Sequence, residues 1–328
     1  METLLITRKD VARVLTPALT NKTVGKAFKA YGLGQVDMPA KSYLTFTQGD
    51  IRSMPAYING QGFKAAGIKS VNVHPENSNK YSLPTVMAVI ILNDPKTGFP
   101  LAVLDGTYLT SMRTGAAGAV AAKLLSRKSS KIAGFIGCGV QARTQLMCTM
   151  EVRKLRALKI WKFRSDDTLA QKFSTWAKKT YGLETMISEN IDDITTGVDI
   201  LITTTPSRVP LVAHVSPGTH INAIGADAAG KEEIHPMVLK QAKIVIDDWA
   251  QASHSGEINI PLKKRTLTRK NIYGELGDIA ARKIKGRTSP AEITLFDSTG
   301  LAIQDVSCAY VVYRKLKDQK GIRKINFF

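Results

Sequence analysis

Cysteine is scarce in this chain: Cys138, Cys148 and Cys308 are the only three among 328 residues. That count fits neither a disulfide framework nor a cysteine metal cluster, and it points to a reducing, cytoplasmic setting. Histidine is also sparse, and His74, His214, His220, His235 and His254 show no H-x-x-x-H or H-E-x-x-H spacing, so no metal site is expected. No run of about eighteen apolar residues occurs, which argues against a membrane span. The opening "METLLITRKD" has no basic segment leading into an apolar stretch, so no secretory signal is expected. G-x-S-x-G and P-loop patterns are missing as well, and so are internal repeats and low-complexity segments.

Acids are the remaining shortage: 27 Asp and Glu stand against 46 Lys and Arg, a net charge of +19. Such an excess serves either nucleic acid or an anionic ligand. Here the cations are spread along the chain, with small clusters at Lys263–Arg265 and Lys315–Lys324, and there is no arginine-rich arm, zinc finger or aromatic RNP-like strand. A basic solvated surface is therefore expected, with no nucleic-acid partner. Hydrophobic residues make up 44% and charged ones 22%, ordinary for a globular enzyme, and the length suits two domains with a core each.

From about residue 131, short β-like runs alternate with helical ones. "KIAGFIG", "LKIWKF", "ETMIS", "VDILITTT", "HINAIGA", "KIVIDD" and "ITLFD" are the strands expected, with helical spacing at 167–181 and 231–241. Continuous apolar strands in that rhythm predict an α/β fold, an open parallel sheet covered on both faces by helices. The first 112 residues read differently. A helical stretch near 7–32 precedes strands at 41–46, 70–74 and 85–93, and "NDPKTG" turns the last into "FPLAVLDG". That pattern predicts an α+β unit with an antiparallel sheet. A last helix over about 301–317 is expected to return to it. The domains are accordingly drawn as 1–112 with 305–328, and 113–304.

"AGFIGCGVQA" places Gly137 and Gly139 directly after a strand and before a helix. Glycine there permits a tight turn and lets backbone N–H groups approach a pyrophosphate at a helix N-terminus; Ala142 fills the third position. At the end of the next strand an acid would bind the ribose hydroxyls of NAD, whereas an arginine would accommodate the 2′-phosphate of NADP. This chain offers Lys162, Phe163 and Arg164, with Arg143 on the glycine turn. Asp166 and Asp167 come later and suit the opening of the next helix. The expected cofactor is NADP(H) in preference to NAD(H).

Three further segments carry chemistry. In "GIKSVNVHP", Lys69 shares a strand face with Val71 and Val73, so burial is expected to lower its pKa. In "LTSMRTGAAGAVAAKLL", Arg113 is the sole charge in the first four turns and calls for an anion: a substrate carboxylate, a cofactor phosphate or an internal acid. In "INAIGADAAGKEE", Asp227 lies just past the carboxyl end of a strand, where open α/β sheets bind ligands, and is placed for general acid/base work. Ser298 and Thr299 in "FDSTGLAIQD" form a second such edge, available to a nicotinamide amide. Arg52 in "DIRSMPAY" is a further carboxylate clamp.

These segments, with "LPTVMAVIILNDPKTGFPLAVLDGTYLTSMRTGAAG", "TTTPSR" and "GTHINAIGAD", resemble the ornithine cyclodeaminase/μ-crystallin family, and within it the archaeal-type alanine dehydrogenases, along nearly the whole chain. The resemblance implies a homodimer of two-domain subunits, each with a Rossmann-type dinucleotide-binding domain and a substrate-binding and dimerisation domain. It assigns the substrate carboxylate to Arg52, Lys69 and Arg113, and acid/base roles to Lys69 and Asp227. It assigns the cofactor to Arg113, Gly137, Gly139, Val140, Gln141, the 162–164 segment, Ile224, Gly225, Ala226, Lys231 and Ser298. Many members have an aspartate where this chain has Lys162, which agrees with NADP(H). The expected reaction is reversible oxidative deamination of a small amino acid, L-alanine, to its 2-oxo acid and ammonia. Ornithine cyclodeamination and reduction of pyrroline-2-carboxylate are the alternatives. Against the former stands the absence of Asp and Glu between Arg52 and Lys69, since a distal ammonium would favour a carboxylate.

Overall fold

In the computed structural model, which describes residues 2–164 and 168–328, the chain divides into two units: residues 1–113 with 301–328, and residues 114–300. Asp166 and Asp167 lie outside the described residues.

The first unit opens with β1 (Thr3–Ile6), α1 (Arg8–Val14) and α2 (Pro17–Gly32). The helical stretch expected over 7–32 is thus two helices. Thr7 and Asp10 close a reciprocal capping box on α1, and Thr16 caps α2 ahead of Pro17, whose fixed φ suits a first helical position. There follow β2 (Val36–Asp37), β3 (Ser42–Phe46), β4 (Gly49–Gly60), β5 (Phe63–Val73), α3 (Asn77–Lys80), β6 (Val86–Asn93) and β7 (Pro100–Asp105). Next comes α4 (Thr107–Leu125), and the division between the units falls inside it, between Arg113 and Thr114.

The second unit holds β8 (Ile132–Ile136), α5 (Val140–Met150), β9 (Ala157–Trp161), α6 (Thr168–Tyr181), β10 (Glu184–Ser188), α7 (Ile191–Thr195), β11 (Ile200–Thr203) and β12 (His220–Ala223). It continues through α8 (Pro236–Gln241), β13 (Lys243–Ile246), α9 (Trp249–Ser255), α10 (Asn259–Lys263), β14 (Ile272–Glu275), α11 (Leu276–Ala280) and β15 (Thr294–Asp297). The chain then returns to the first unit with α12 (Ala302–Leu316) and β16 (Arg323–Ile325).

The sheet of the first unit runs β16-β1-β7-β6-β5-β4-β2, with β3 on β4. It is mixed rather than wholly antiparallel, because β1 joins β7 in parallel. Period-two alternation sends Met54, Ile58, Ala65, Lys69, Val71, Ile90, Leu92 and Leu104 to one face, where α12 packs. Full burial of Ile58, Ile90, Leu92 and Leu104 stabilises this layer by roughly 1.5–3 kcal/mol each. The opposite face is more open and mixes polar residues such as Ser70 and Asn72 with apolar ones, among them Val89, 49% exposed, and Ile91, 38% exposed.

The second unit is a doubly wound parallel sheet in the order β10-β9-β8-β11-β12-β15-β13-β14, every neighbouring pair parallel. Buried apolar clusters built around Ile221 and Phe135 pack against it. After β8 the chain builds β9 and β10 on one side, then crosses to β11 on the other, so the strand order reverses between β8 and β11. The helix expected over 231–241 is confined to Pro236–Gln241, with His235 as its cap. Ile234 is drawn instead into a bridge with Val212.

Candidate active site

The first unit gathers the three expected carboxylate ligands on one face. Arg52 pairs in register with Val71 and Met54 with Lys69, so Arg52 and Lys69 sit on the same side of the β4–β5 ladder, one step apart. Asp105 accepts the amides of Thr107 (3.3 Å) and Tyr108 (2.9 Å), which fixes the start of α4 and hence the reach of Arg113. Arg52, Lys69 and Arg113 are all buried. A buried cation needs a counter-charge, and each has one. The Arg52 guanidinium donates twice to Asp50, at 2.8 and 3.1 Å, and lies against the Tyr43 ring. Asp305, on the first turn of α12, puts Oδ2 2.8 Å from Lys69 Nζ and Oδ1 2.9 Å from Arg113 Nε. Arg113 Nη1 also donates to Gln304 Oε1 at 2.8 Å.

Of the three anions open to Arg113, the fold therefore supplies an internal acid. Lys69 behaves as its place on an apolar face predicts. Burial, then the nearby Arg113 guanidinium, outweigh the pull of Asp305 and bring its pKa down to about 7. Asp50 and Asp305 reach these cations from outside the 52–69 stretch, and both are taken up in pairing them.

In the second unit, Gly137 and Gly139 stand between β8 and α5. Gly137 has φ +100°, a conformation that favours glycine, and a Cβ there would lie 2.8 Å from Thr204 Oγ1. At Gly139 a Cβ would meet no atom within 4 Å, so the start of α5 faces open space. Val140 is 69% exposed, and α5 has no acid in its first turn to occupy its positive end. The turn lies at the reversal of strand order, the place where doubly wound sheets bind ligands.

Lys162 and Arg164 follow β9, as expected. The Lys162 ammonium lies 3.6 Å from Glu189, one residue past the end of β10. Phe163 packs edge-on to Trp161, the Arg164 guanidinium lies over Phe163 at 5.1 Å, and Arg143 lies over Trp176 at 5.3 Å.

Asp227 and Lys231, expected in separate roles, form an ion pair at 2.6 Å, with the Asp227 side chain 37% exposed. Ser298 is buried, its amide bonded to Ala223 O. Thr299 does not fit the role given to it: its amide and hydroxyl both hold Asp247, at 2.6 and 3.0 Å. The loop carrying Ile224, Gly225 and Ala226 is pinned by Glu233. That carboxylate accepts from Thr203 Oγ1, the Thr205 amide and hydroxyl, and the Gly225 amide, at 2.7–2.9 Å. Glu257 accepts the amides of Glu233 and Ile234. Burial raises the pKa of both carboxyls, and for Glu257 the proximity of Glu233 raises it further.

Asp50, Gln304, Asp305 and Glu233 are the groups that the sequence patterns pass over. Asp50 and Glu233 lie within or beside segments that draw attention, and Asp305 is the acid on the first turn of α12. A lone acid of that kind reads as a dipole partner.

The profile of the ornithine cyclodeaminase/mu-crystallin family matches residues 1–320. An alanine dehydrogenase of Archaeoglobus fulgidus is 46% identical over 330 aligned positions, spanning 100% of this chain and 99% of its own. An archaeal alanine dehydrogenase dimer with bound NAD superposes with a TM-score of 0.95 at 46% identity, over 100% of both chains. The delta(1)-pyrroline-2-carboxylate reductase of Thermococcus litoralis, solved with NADH and L-proline, gives 0.92 at 38% identity, over 99% of this chain and 100% of its own.

Proposed function

The chain belongs to the ornithine cyclodeaminase/mu-crystallin family, and from that premise we propose that it is an amino-acid dehydrogenase. It interconverts L-alanine with pyruvate and ammonia using a nicotinamide dinucleotide. The observation that carries this reading is the buried group of Lys69, Arg113 and Asp305. Two cations against one carboxylate leave one positive charge in a dry setting when Lys69 is protonated, and an α-carboxylate completes it. The full-length likeness to an alanine dehydrogenase supports the same substrate class.

The second unit fits the cofactor. Gly139 leaves open the space that a Cβ would fill at the start of α5, and the first-turn amides of that helix suit a pyrophosphate. Gly137, Val140 and Gln141 would line it, with Ile224, Gly225, Ala226, Lys231 and Ser298 toward the nicotinamide end. When bound, the nicotinamide ring supplies the hydride acceptor or donor. The chain's own residues do the rest. Arg52, Lys69 and Arg113 orient the substrate carboxylate, and Lys69, with a pKa of about 7, exchanges a proton near neutrality. Asp227, held by Lys231, is the second acid/base group. NADP(H) is the preferred form, because β9 is followed directly by Lys162-Phe163-Arg164, with no acid of its own there, and Arg143 follows the glycine turn.

The assembly is a homodimer. The exposed apolar side chains of Val89 and Ile91 on the open sheet face suit a second copy of the chain, and the similar archaeal enzyme was solved as a dimer. Pyrroline-2-carboxylate reduction is the second reading, favoured by the likeness to the Thermococcus enzyme and served by the same carboxylate cations. The test is a substrate panel: NADPH with pyruvate and ammonium and NADPH with pyrroline-2-carboxylate, both followed at 340 nm, and NADP+ with ornithine, followed by release of ammonia and proline because that reaction returns the cofactor unchanged. No oxidation of NADPH or NADH in the first mixture rules out the alanine assignment.

A further inference from the structure

We propose that Asp305, with Gln304 beside it, is the positioning residue of the substrate site: it holds Lys69 and Arg113 as one cationic pair aimed at a substrate carboxylate. The proposal rests on the dehydrogenase reading above. Its basis is the geometry within the first unit. Each Asp305 oxygen takes one cation, Lys69 from β5 at 2.8 Å and Arg113 from α4 at 2.9 Å, so one side chain on α12 sets the spacing of two groups on different elements. Asp305 is itself fully buried, so these two cations carry its neutralisation.

Gln304 fixes the other edge of the pair. Arginine has only donors, so the Gln304 oxygen must face Arg113 and its amide NH2 must point elsewhere. That Nε2 is buried and makes no hydrogen bond among the described residues. The Lys69 ammonium has three N–H donors, and Asp305 Oδ2 at 2.8 Å takes at most one of them. Two buried donor groups beside an excess positive charge await acceptor oxygens, which a carboxylate has.

The charged groups facing Lys69 are Asp305 from α12, Arg113 from α4 and Lys41 from the segment before β3. Asp305 is the one anion among them. Removing it lowers the lysine pKa further, so the carboxylate-binding, protonated form disappears at a lower pH. Removing Arg113 does the reverse.

The experiment is calorimetric titration of pyruvate into full-length protein, with and without NADPH and without ammonium, from pH 5.5 to 9. In the wild type the dissociation constant is expected to rise as the pH passes about 7. In Asp305→Asn the rise starts at least one pH unit lower, leaving binding at pH 7 about tenfold weaker. In Arg113→Gln it moves to higher pH. Asp305→Glu, which keeps the charge, leaves the midpoint near that of the wild type while affinity falls. If Asp305→Asn does not fold, Asp305→Ser carries the same expectation with room for water. An unmoved midpoint in the Asn or Ser variant overturns the proposal, as does a wild type that binds pyruvate at no pH. A wild type that shows this pH profile but turns over only pyrroline-2-carboxylate keeps the role of Asp305 and loses the alanine assignment.

Discussion

Lys162 and Glu189 follow neighbouring parallel strands, β9 and β10, and meet there, ammonium to carboxylate, at 3.6 Å. The acid that a ribose would want thus sits beside the lysine that a 2′-phosphate would want, on the next strand over. Lys162→Asp is expected to move the NADPH/NADH ratio of kcat/KM by about tenfold or more toward NADH, the worth of one charged hydrogen bond. Glu189→Gln, which frees the ammonium, moves it toward NADPH. Steady-state kinetics with both cofactors decide, and a ratio untouched by either change removes Lys162 from cofactor selection.

Glu233 pins the 224–226 loop, so its replacement acts on binding in the second unit. Glu233→Ala leaves the Thr203, Thr205 and Gly225 donors unpaired in a buried setting, at about 1–3 kcal/mol each. A drop of several degrees in apparent Tm together with weaker NADPH binding, read by fluorescence quenching, is the expected pair of effects. Normal cofactor affinity in a folded variant contradicts the pinning role.

Glu257 behaves oppositely. Its folded pKa is raised above the unfolded value, so whatever stability its neutral form contributes is complete at low pH and fades as the pH rises through the folded pKa. Glu257→Gln should therefore match the wild type in Tm near pH 5 and exceed it increasingly toward pH 9. Thermal melts across that range test the sign.

His220 is fully buried between Thr294 Oγ1 and Asn222 Oδ1, and burial, then the Arg287 charge, lower its pKa to about 3. The unfolded chain takes up a proton near pH 6.5 that the fold refuses until about pH 3. Stability contributed by His220 is present above the unfolded value and is lost as the pH falls through this window, by about 1.4 kcal/mol per pH unit. His220→Gln is expected to flatten the dependence of apparent Tm on pH between 6.5 and 4.

On the open sheet face, Val89→Lys with Ile91→Glu places charge where a second copy is expected. Light scattering should show a folded monomer in place of a dimer. A persistent dimer moves the interface elsewhere.

The α/β half was readable because a parallel sheet buried on both faces forces apolar runs such as 200–203, in which all four residues are buried. The glycine turn was readable because Gly137 needs its positive φ. In the first unit β4 went unread, since Gly49–Gly60 mixes Arg52, Pro55 and Asn59 into its alternation. β14 went unread: Ile272–Glu275 is a short edge strand containing Gly274. Lys69 and Arg113 stood out as cations in apolar surroundings, but their shared anion did not. Asp305 lies 192 residues from Arg113 along the chain, and no local pattern links them. Gly115 and Gly118 show the same limit. They appear in the sequence only as small residues in a helix, yet any side chain there would run into Thr144 or Gln145 of α5.

The return of residues 301–328 to the first unit sets an order of assembly during synthesis. The second unit is a continuous stretch and can close while the first, begun earlier, still lacks the helix that covers its sheet. β1 finds its partner β16 only with the last strand, Thr3 opposite Ile325. Until α12 emerges, Lys69 and Arg113 lack the Asp305 counter-ion and the helix that covers them, so these cations cannot be buried early. A chain cut before residue 301 would have the whole of the second unit and an unfinished, hydrated sheet in the first. The anion that neutralises this pair thereby arrives only after every residue of the second unit has been made.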